Sequence, residues 1–542
     1  MSLRRTVALY AFLLGFFFLE ICRLFYIAQN NSYAKKAEDQ TITNLPVDTA
    51  RGDFYDCAGQ KLTGRETVYY ALCVPGEENY AKLFSYVNYS DQARLYRLRN
   101  ATAPFLVEVG QDLSGEGIYT ISRERRYSKL PICTQLIGYL DSGGHGVAGL
   151  EAAFDEALSG SGTAGYIQCV TNAKGALMDA TQPEYHAPGD DGADVQLTID
   201  SAIQRASEGI AADMMTTGCI LVLDVKTAKV RACVSMPDYD PTNVGASIDA
   251  QNAPFVNRAL SAYAVGSVFK PVLAAAALET QQNGLTIDCV GYTKVSDHVY
   301  RCAGGVPHGE TDLADALAKS CNCYFIAMGQ QLGPERLHRY AEAFGFGQPV
   351  YLAGGVKAAA GMLPDAAQLK DLGEKANFSF GQGKLLATPV QVAAMMNTIA
   401  AGGTYRTPSF LERTFDADTD TTVQNLYSPE TRQVMQQANA KTLQAMLAGV
   451  VSDGLGHEAK PTEGTAAGKT GTAQTGRFDA NEQEYKNLWF AGFYPADNPQ
   501  YTIVVMQDDK TEADHSSAAV FARLCDALSL MKYVQIGQNA KT

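Results

Sequence analysis

The distribution of apolar and polar positions divides the chain into three regimes. Residues 6–28 (TVALYAFLLGFFFLEICRLFYIA) form an almost unbroken apolar run. As a helix rising about 1.5 Å per residue it spans about 35 Å, enough to cross a hydrocarbon core of about 30 Å. Glu20 and Arg23 interrupt it, and their spacing of three lets them pair on one face or lie near an interface. Residues 40–188 then alternate in short segments broken by turn residues, which predicts an irregular α+β module. Pro, Gly and acidic residues between His186 and Asp200 mark a domain boundary. Beyond it, 218–224 and 229–235 predict two strands joined by a tight turn, and 272–280, 313–331 and 389–400 predict helices. Strand patterns return at 488–494 and 501–507, and 516–531 reads as a helix. Strands at both ends with helices between imply a mostly antiparallel sheet layered with helices. The expected organisation is a cytoplasmic tail (1–5), a transmembrane anchor (6–28), the α+β module (40–188) and a second, larger domain (194–535).

Arg4 and Arg5 favour a cytoplasmic N-terminus, although Lys35 and Lys36 dilute the rule. No small-x-small cleavage site follows the apolar run, so retention as an anchor is expected rather than removal as a signal peptide. The rest of the chain would then lie outside the cytoplasm. With 542 residues, 46% of them apolar and 19% charged, the composition is that of packed globular domains. A formal net charge of −14 argues against a nucleic-acid partner, because no excess of Lys and Arg exists to neutralise phosphates.

The twelve cysteines include no CxxC, only the CxC of Cys321 and Cys323. The seven histidines (His145, His186, His298, His308, His338, His457 and His515) show neither HExxH nor an i,i+4 pair. Spacing along the chain therefore predicts no metal site, and no cofactor is expected. Cys289 and Cys302 flank twelve residues. Bridging that loop would add about 3 kcal/mol, so a disulfide under oxidising conditions is the expectation, with two reduced thiols as its rival. Cys321 would be a buried packing thiol.

Ser-x-x-Lys occurs three times, at Ser32/Lys35, Ser267/Lys270 and Ser529/Lys532. Only the middle one leads into an alanine-rich helix, which puts Ser267 at its first turn with Lys270 on the same face. A serine hydroxyl needs a base to take its proton. A lysine can be that base if burial or neighbouring positive charge, the helix start included, lowers its pKa. An N-cap serine beside a surface lysine is the better reading of the bare motif taken alone. Ser320-Cys321-Asn322 offers a hydroxyl for proton relay and an amide to orient Lys270 or hold a substrate amide. Lys469-Thr470-Gly471-Thr472 is not a phosphate loop, since Glu463 stands where the first glycine is required. Read as an edge strand, Lys469 and Thr470 offer a carboxylate a cation and a hydroxyl, and Gly471 lets a substrate backbone approach. The N–H groups of Ser267 and Thr472 would form an oxyanion hole.

These three motifs, in this order, resemble those of class B penicillin-binding proteins. Asn257-Arg258-Ala259, Gly381-Gln382-Gly383, Thr388-Pro389 with Gln391, and Trp489-Phe490-Ala491-Gly492-Phe493 extend the resemblance. In the first module, Arg51, Gly52, Asp56, Gly59 and Leu62, with Arg126-Tyr127, Gly149-Leu150-Glu151 and Leu197-Thr198-Ile199-Asp200 followed by Gln204, are similar to the family's non-catalytic pedestal. Departures are local: Val265 stands for a usual proline, Cys57 for a polar or basic residue, and Ser128 for a proline.

The resemblance implies a membrane-anchored α+β pedestal domain followed by an α/β transpeptidase domain with a mostly antiparallel five-stranded sheet. It also implies a serine D-Ala-D-Ala transpeptidase that cross-links peptidoglycan stem peptides and is acylated by β-lactams. The implied catalytic residues are Ser267, Lys270, Ser320 and Asn322, with Lys469, Thr470, Gly471 and Thr472 binding substrate. The implied partner is a polytopic glycan polymerase of the shape, elongation, division and sporulation family. Rival readings are a D,D-carboxypeptidase and a β-lactam-acylated receptor, the second disfavoured by a single span with about five residues before it.

Overall fold

The computed structural model describes residues 3–30, 42–73, 77–101, 103–116, 118–160, 164–171, 177–178, 182–189, 192–353, 355–513 and 515–539. It divides into two compact units.

The first unit comprises Met1–Arg51, Arg65–Arg126 and Gly160–Asp191. Its helix α1, Leu3–Gln29, has 27 residues, about 40 Å of axis at 1.5 Å each. None of its residues is buried, so its leucines and phenylalanines find no protein cover. A helix this long and this apolar, interrupted only by Glu20 and Arg23 between residues 6 and 28 and left uncovered, is compatible with a single-pass membrane anchor. Elsewhere the unit holds two three-stranded antiparallel sheets, centred on Ala164–Val170 and on Glu66–Cys73. Ala71, Cys73 and Val107 from the second sheet form a small core with Leu83 and Leu95 from two short helices.

The second unit comprises Gly52–Gly64, Tyr127–Ser159 and Gly192–Thr542. Its organising elements in chain order are α2 (Ser201–Met214), β1 (Gly218–Asp224), β2 (Val230–Met236), α3 (Lys270–Glu279), α4 (Leu313–Ala318), α5 (Asn322–Leu332), α6 (Pro389–Ala400), β3 (Ala467–Phe478), β4 (Glu484–Tyr494), β5 (Tyr501–Lys510) and α7 (Ser517–Asn539). The sheet order is β2-β1-β5-β4-β3, every pairing antiparallel. Successive side chains point to opposite faces, and the sequence uses both. Ile220, Val222, Ile503, Val505 and Phe490 pack under α2 and α7, while Leu221, Leu223, Val504, Met506 and Ala491 pack under α3 to α6. Strands buried on both faces explain why GCILVLD is continuously apolar rather than alternating. In α3 and α6 nearly every position is buried. A capping box between Thr388 and Gln391 starts α6 with its first N–H groups satisfied.

Two expectations are corrected. The helix expected over 313–331 is two helices, α4 and α5, because Ser320 between them takes a left-handed conformation (φ 54°) that no helix continues through. The module expected over 40–188 is not one packing unit, since 52–64 and 127–159 belong to the second unit. Within that unit Phe54–Tyr55 pairs in parallel with the strand Asp194–Leu197. Asp56 accepts bonds from the N–H groups of Ala58 and Gln60, both at 2.8 Å, and from the Ser201 hydroxyl at 2.7 Å, tying this turn to the start of α2. The buried Glu151 carboxylate accepts the Tyr127 hydroxyl at 2.9 Å.

Candidate active site

Ser267 lies in the 3-10 turn Gly266–Phe269 that leads into α3, with Pro271 in the first helical turn where its missing N–H costs nothing. Two glycines fix this turn. Gly266 has φ 65°, and a Cβ there would sit 2.6 Å from the Thr472 carbonyl oxygen, so only glycine lets β3 lie against the serine turn. Its N–H donates to the Gly381 carbonyl at 2.8 Å. Gly381 (φ 82°) has no room either, because a Cβ would approach the Gly266 carbonyl oxygen to 1.9 Å. Gly381→Ala is therefore expected to displace the serine turn and slow acylation by a fluorescent penicillin by about 10²-fold, the scale of a 1 Å misplacement. Equal labelling rates in stopped-time gels would count against this role.

Lys270 is fully buried. Its Nζ donates to the Ser320 carbonyl at 2.7 Å, the Asn322 Oδ1 at 2.8 Å and the Ser320 Oγ at 3.1 Å, and lies 5.4 Å from the centre of the Phe325 ring. Burial pulls its pKa down to about 7. Asn322 in turn donates to the Arg301 carbonyl at 2.8 Å. The left-handed Ser320 is what aims its hydroxyl and carbonyl at one ammonium group, and strain of that kind is characteristic of functional positions.

Lys469 is also fully buried, with its Nζ 3.2 Å from both the carbonyl and the hydroxyl of Thr470. Burial, and then the charge of Lys270, hold its pKa well below the ordinary lysine value. Strand β3 is the last of the sheet, paired with β4 alone through Lys469↔Ala491, Thr470↔Phe490, Gly471↔Trp489 and Thr472↔Leu488. A Cβ on Gly471 would meet the Val268 backbone nitrogen at 3.1 Å, so this glycine lets the strand edge run beside the serine turn. The three motifs are thus brought to one place.

Sequence reading quoted Arg258 and Trp489 without seeing that they brace the loop before Ser267, and missed Asn487. Trp489 Nε1 donates to the Ala264 carbonyl at 3.1 Å, and Asn487 Nδ2 to the same oxygen at 3.4 Å. Arg258 is buried and pairs through Nε with Asp508 Oδ2 at 2.9 Å. Its outer nitrogens donate to the carbonyls of Asn252 (2.8 Å) and Ala253 (3.2 Å). An apolar cavity of about 830 Å³ lined by Tyr139, Tyr239, Phe255 and Leu260 contains none of the three motifs.

Spacing along the chain also hid a cluster of cysteines with a histidine. The fold gathers Cys289, Cys302, Cys321 and His308, with all four donor atoms within 4.8 Å of one another. The Cys289 and Cys302 sulfurs, expected to bridge, lie 3.7 Å apart and unbonded.

A serine at a helix start, a buried lysine of lowered pKa three residues on and a strand edge carrying a second lysine are the parts of a serine acyl-transfer enzyme. Residues 218–526, more than half of the chain, match the family model of the penicillin binding protein transpeptidase domain. The chain belongs to that family. Stage V sporulation protein D of Bacillus subtilis (strain 168) is 29% identical over 505 residues, covering 87% of this chain and 76% of that protein. Peptidoglycan D,D-transpeptidase PbpA of Mycolicibacterium smegmatis is 28% identical, covering 72% of this chain and 81% of that protein. A solved structure on the structural coordination of polymerization and crosslinking by a peptidoglycan synthase complex superposes with a TM-score of 0.69 at 24% identity, covering 98% of each chain.

Proposed function

We propose that this protein is a peptidoglycan D,D-transpeptidase that cross-links stem peptides through an acyl-enzyme on Ser267. The observation that carries the reading is the buried Lys270, bonded to both Ser320 and Asn322 and lowered to about 7, so that near neutrality part of it is free amine. Ser267 Oγ attacks the carbonyl between two D-alanines while its proton passes to Lys270. The N–H groups of Ser267 and Thr472 face the developing oxyanion. Ser320 passes a proton to the departing D-alanine, and Asn322 orients Lys270. Lys469 and Thr470 take the donor's terminal carboxylate, whose charge restores the protonated form of Lys469 that burial disfavours. An amine of a second stem peptide then displaces Ser267, giving up a proton that passes by way of Lys270 to the departing Ser267 Oγ. β-lactams enter as mimics of the donor.

Residues 6–28 serve as the anchor with the N-terminus in the cytoplasm, and residues 194–535 carry the chemistry outside it. The parts of residues 40–188 that lie outside 52–64 and 127–159 contribute the pedestal. The membrane partner is a glycan polymerase of the shape, elongation, division and sporulation family, a reading supported by the synthase complex in which polymerization and crosslinking are coordinated.

With lipid-linked precursor and such a polymerase, purified full-length protein is expected to yield cross-linked dimers, and Ser267→Ala to yield none and to resist fluorescent penicillin. D-alanine release without dimers would make the enzyme a carboxypeptidase. Unchanged labelling of the Ser267→Ala variant would remove the acyl-enzyme altogether.

A further inference from the structure

The cysteines beside the site are more than packing. Cys289 closes the strand Ile287–Cys289, which pairs with Gly309–Thr311, and the Cys289 carbonyl accepts the His308 N–H at 2.9 Å. Cys302 follows the hairpin strand His298–Arg301, its N–H held by the Gly291 carbonyl at 2.9 Å. Cys321 caps the N-terminus of α5, and its sulfur accepts the Tyr324 N–H at 3.4 Å. Two β-ribbon ends and a helix start thus aim three sulfurs and one ring nitrogen at a common centre. All three cysteines are buried, while His308 is half-buried and closes the outer side.

The separations decide what such a centre fits. Zinc bonds of about 2.3 Å to sulfur and about 2.0–2.1 Å to nitrogen, set tetrahedrally, require sulfur–sulfur edges of about 3.8 Å and sulfur–nitrogen edges of about 3.6 Å. The sulfurs stand 3.7 Å (Cys289 to Cys302), 3.8 Å (Cys302 to Cys321) and 3.4 Å (Cys321 to Cys289) apart, and His308 Nδ1 is 3.5 Å from the Cys289 sulfur. A disulfide could join only two of the three sulfurs, whereas one ion takes all three and the imidazole. Thiolates with one imidazole are a borderline-soft donor set that suits zinc rather than magnesium or calcium.

We propose that Cys289, Cys302, Cys321 and His308 bind one zinc(II) ion in a closed, structural site. Three thiol protons leave to solvent as the metal enters, His308 contributes the lone pair of neutral Nδ1, and nothing is oxidised or reduced. With four protein ligands no position stays open for water, so the ion holds structure rather than reacting. What it holds is specific. Cys321 is the middle residue of Ser320-Cys321-Asn322, and the metal pins that left-handed turn to the ribbons carrying Cys289 and Cys302. Cys323, whose sulfur is 3.5 Å from that of Cys302, lies outside the four and is dispensable for binding. The proposal does not rest on the reaction assigned to Ser267.

The test is elemental analysis of detergent-purified full-length protein prepared with a phosphine reductant and no chelator. About one zinc per chain is expected, falling at least about tenfold in Cys302→Ser and in His308→Ala and unchanged in Cys323→Ser. If those variants fail to fold, cobalt(II) exchanged into the unaltered protein is expected to show thiolate charge-transfer absorption and the strong visible bands of a tetrahedral site. Reduced, folded protein that holds under a tenth of a zinc and takes up none on equilibration overturns the site. So does zinc retained in both ligand variants, or a Cys289–Cys302 disulfide in protein isolated without reductant.

Discussion

Replacing Lys270 with methionine is expected to slow acylation by a fluorescent penicillin by about 10²–10⁴-fold, the range that a positioned general base contributes. Methionine fills much of the buried channel, so the loss reports the missing amine rather than a cavity. Lys270→Arg is expected to fail as badly, because a guanidinium stays protonated and cannot accept the Ser267 proton. The pH profile carries the sign. The base acts as free amine, so the acylation rate should be low well below pH 7, rise through the lowered value of about 7 and level off above it. An ordinary lysine would place that rise near 10.5. Single-turnover labelling between pH 5.5 and 9 separates the two, and a rate independent of pH across that span would rule Lys270 out as the base.

Arg258→Met should cost about 3–5 kcal/mol of stability, the penalty for stranding one partner of a buried ion pair. Asp508 is 6% exposed and Arg258 5%, and the guanidinium also satisfies the carbonyls of Asn252 and Ala253. Removing it leaves a carboxylate at the end of β5 with neither water nor cation. The double variant Arg258→Met with Asp508→Leu should recover most of the loss, since an apolar pair of similar volume replaces a buried ion pair at little cost. Thermal unfolding of the three proteins reads both effects. If the double variant is as unstable as the single, the hydrogen bonds to the loop rather than the stranded charge account for the loss.

The sheet was legible where physics acts locally. Strand β1 was read to the residue because both its faces are buried and its sequence is unbroken by polar residues. Strands β4 and β5 run further than their apolar cores, through Glu484 to Asn487 and through Asp508 to Lys510, because ladder pairing continues where the side chains turn polar. The break at Ser320 was hidden, since alanine, lysine and leucine around it all favour helix, and the turn is imposed by contacts from elsewhere. The lysine at the centre of the site was legible as a motif but not as a buried group. Its burial depends on α5 and Phe325, which lie some fifty residues downstream. The zinc ligands were the least legible, because Cys289, Cys302, His308 and Cys321 follow no short spacing and meet only through two separate ribbons and a helix cap.

Phe54, Leu62, Leu136, Ile137 and Leu150 share one core with α3 and α6. A gene fragment starting at residue 192 would keep every reactive side chain yet lose these five from its interior. As a heritable cassette, then, the acyl-transfer body cannot be cut out at a single splice point. An exchange of this body between relatives has to carry the stretches around 52–64 and 127–159 along with the motifs, or leave the core without those side chains.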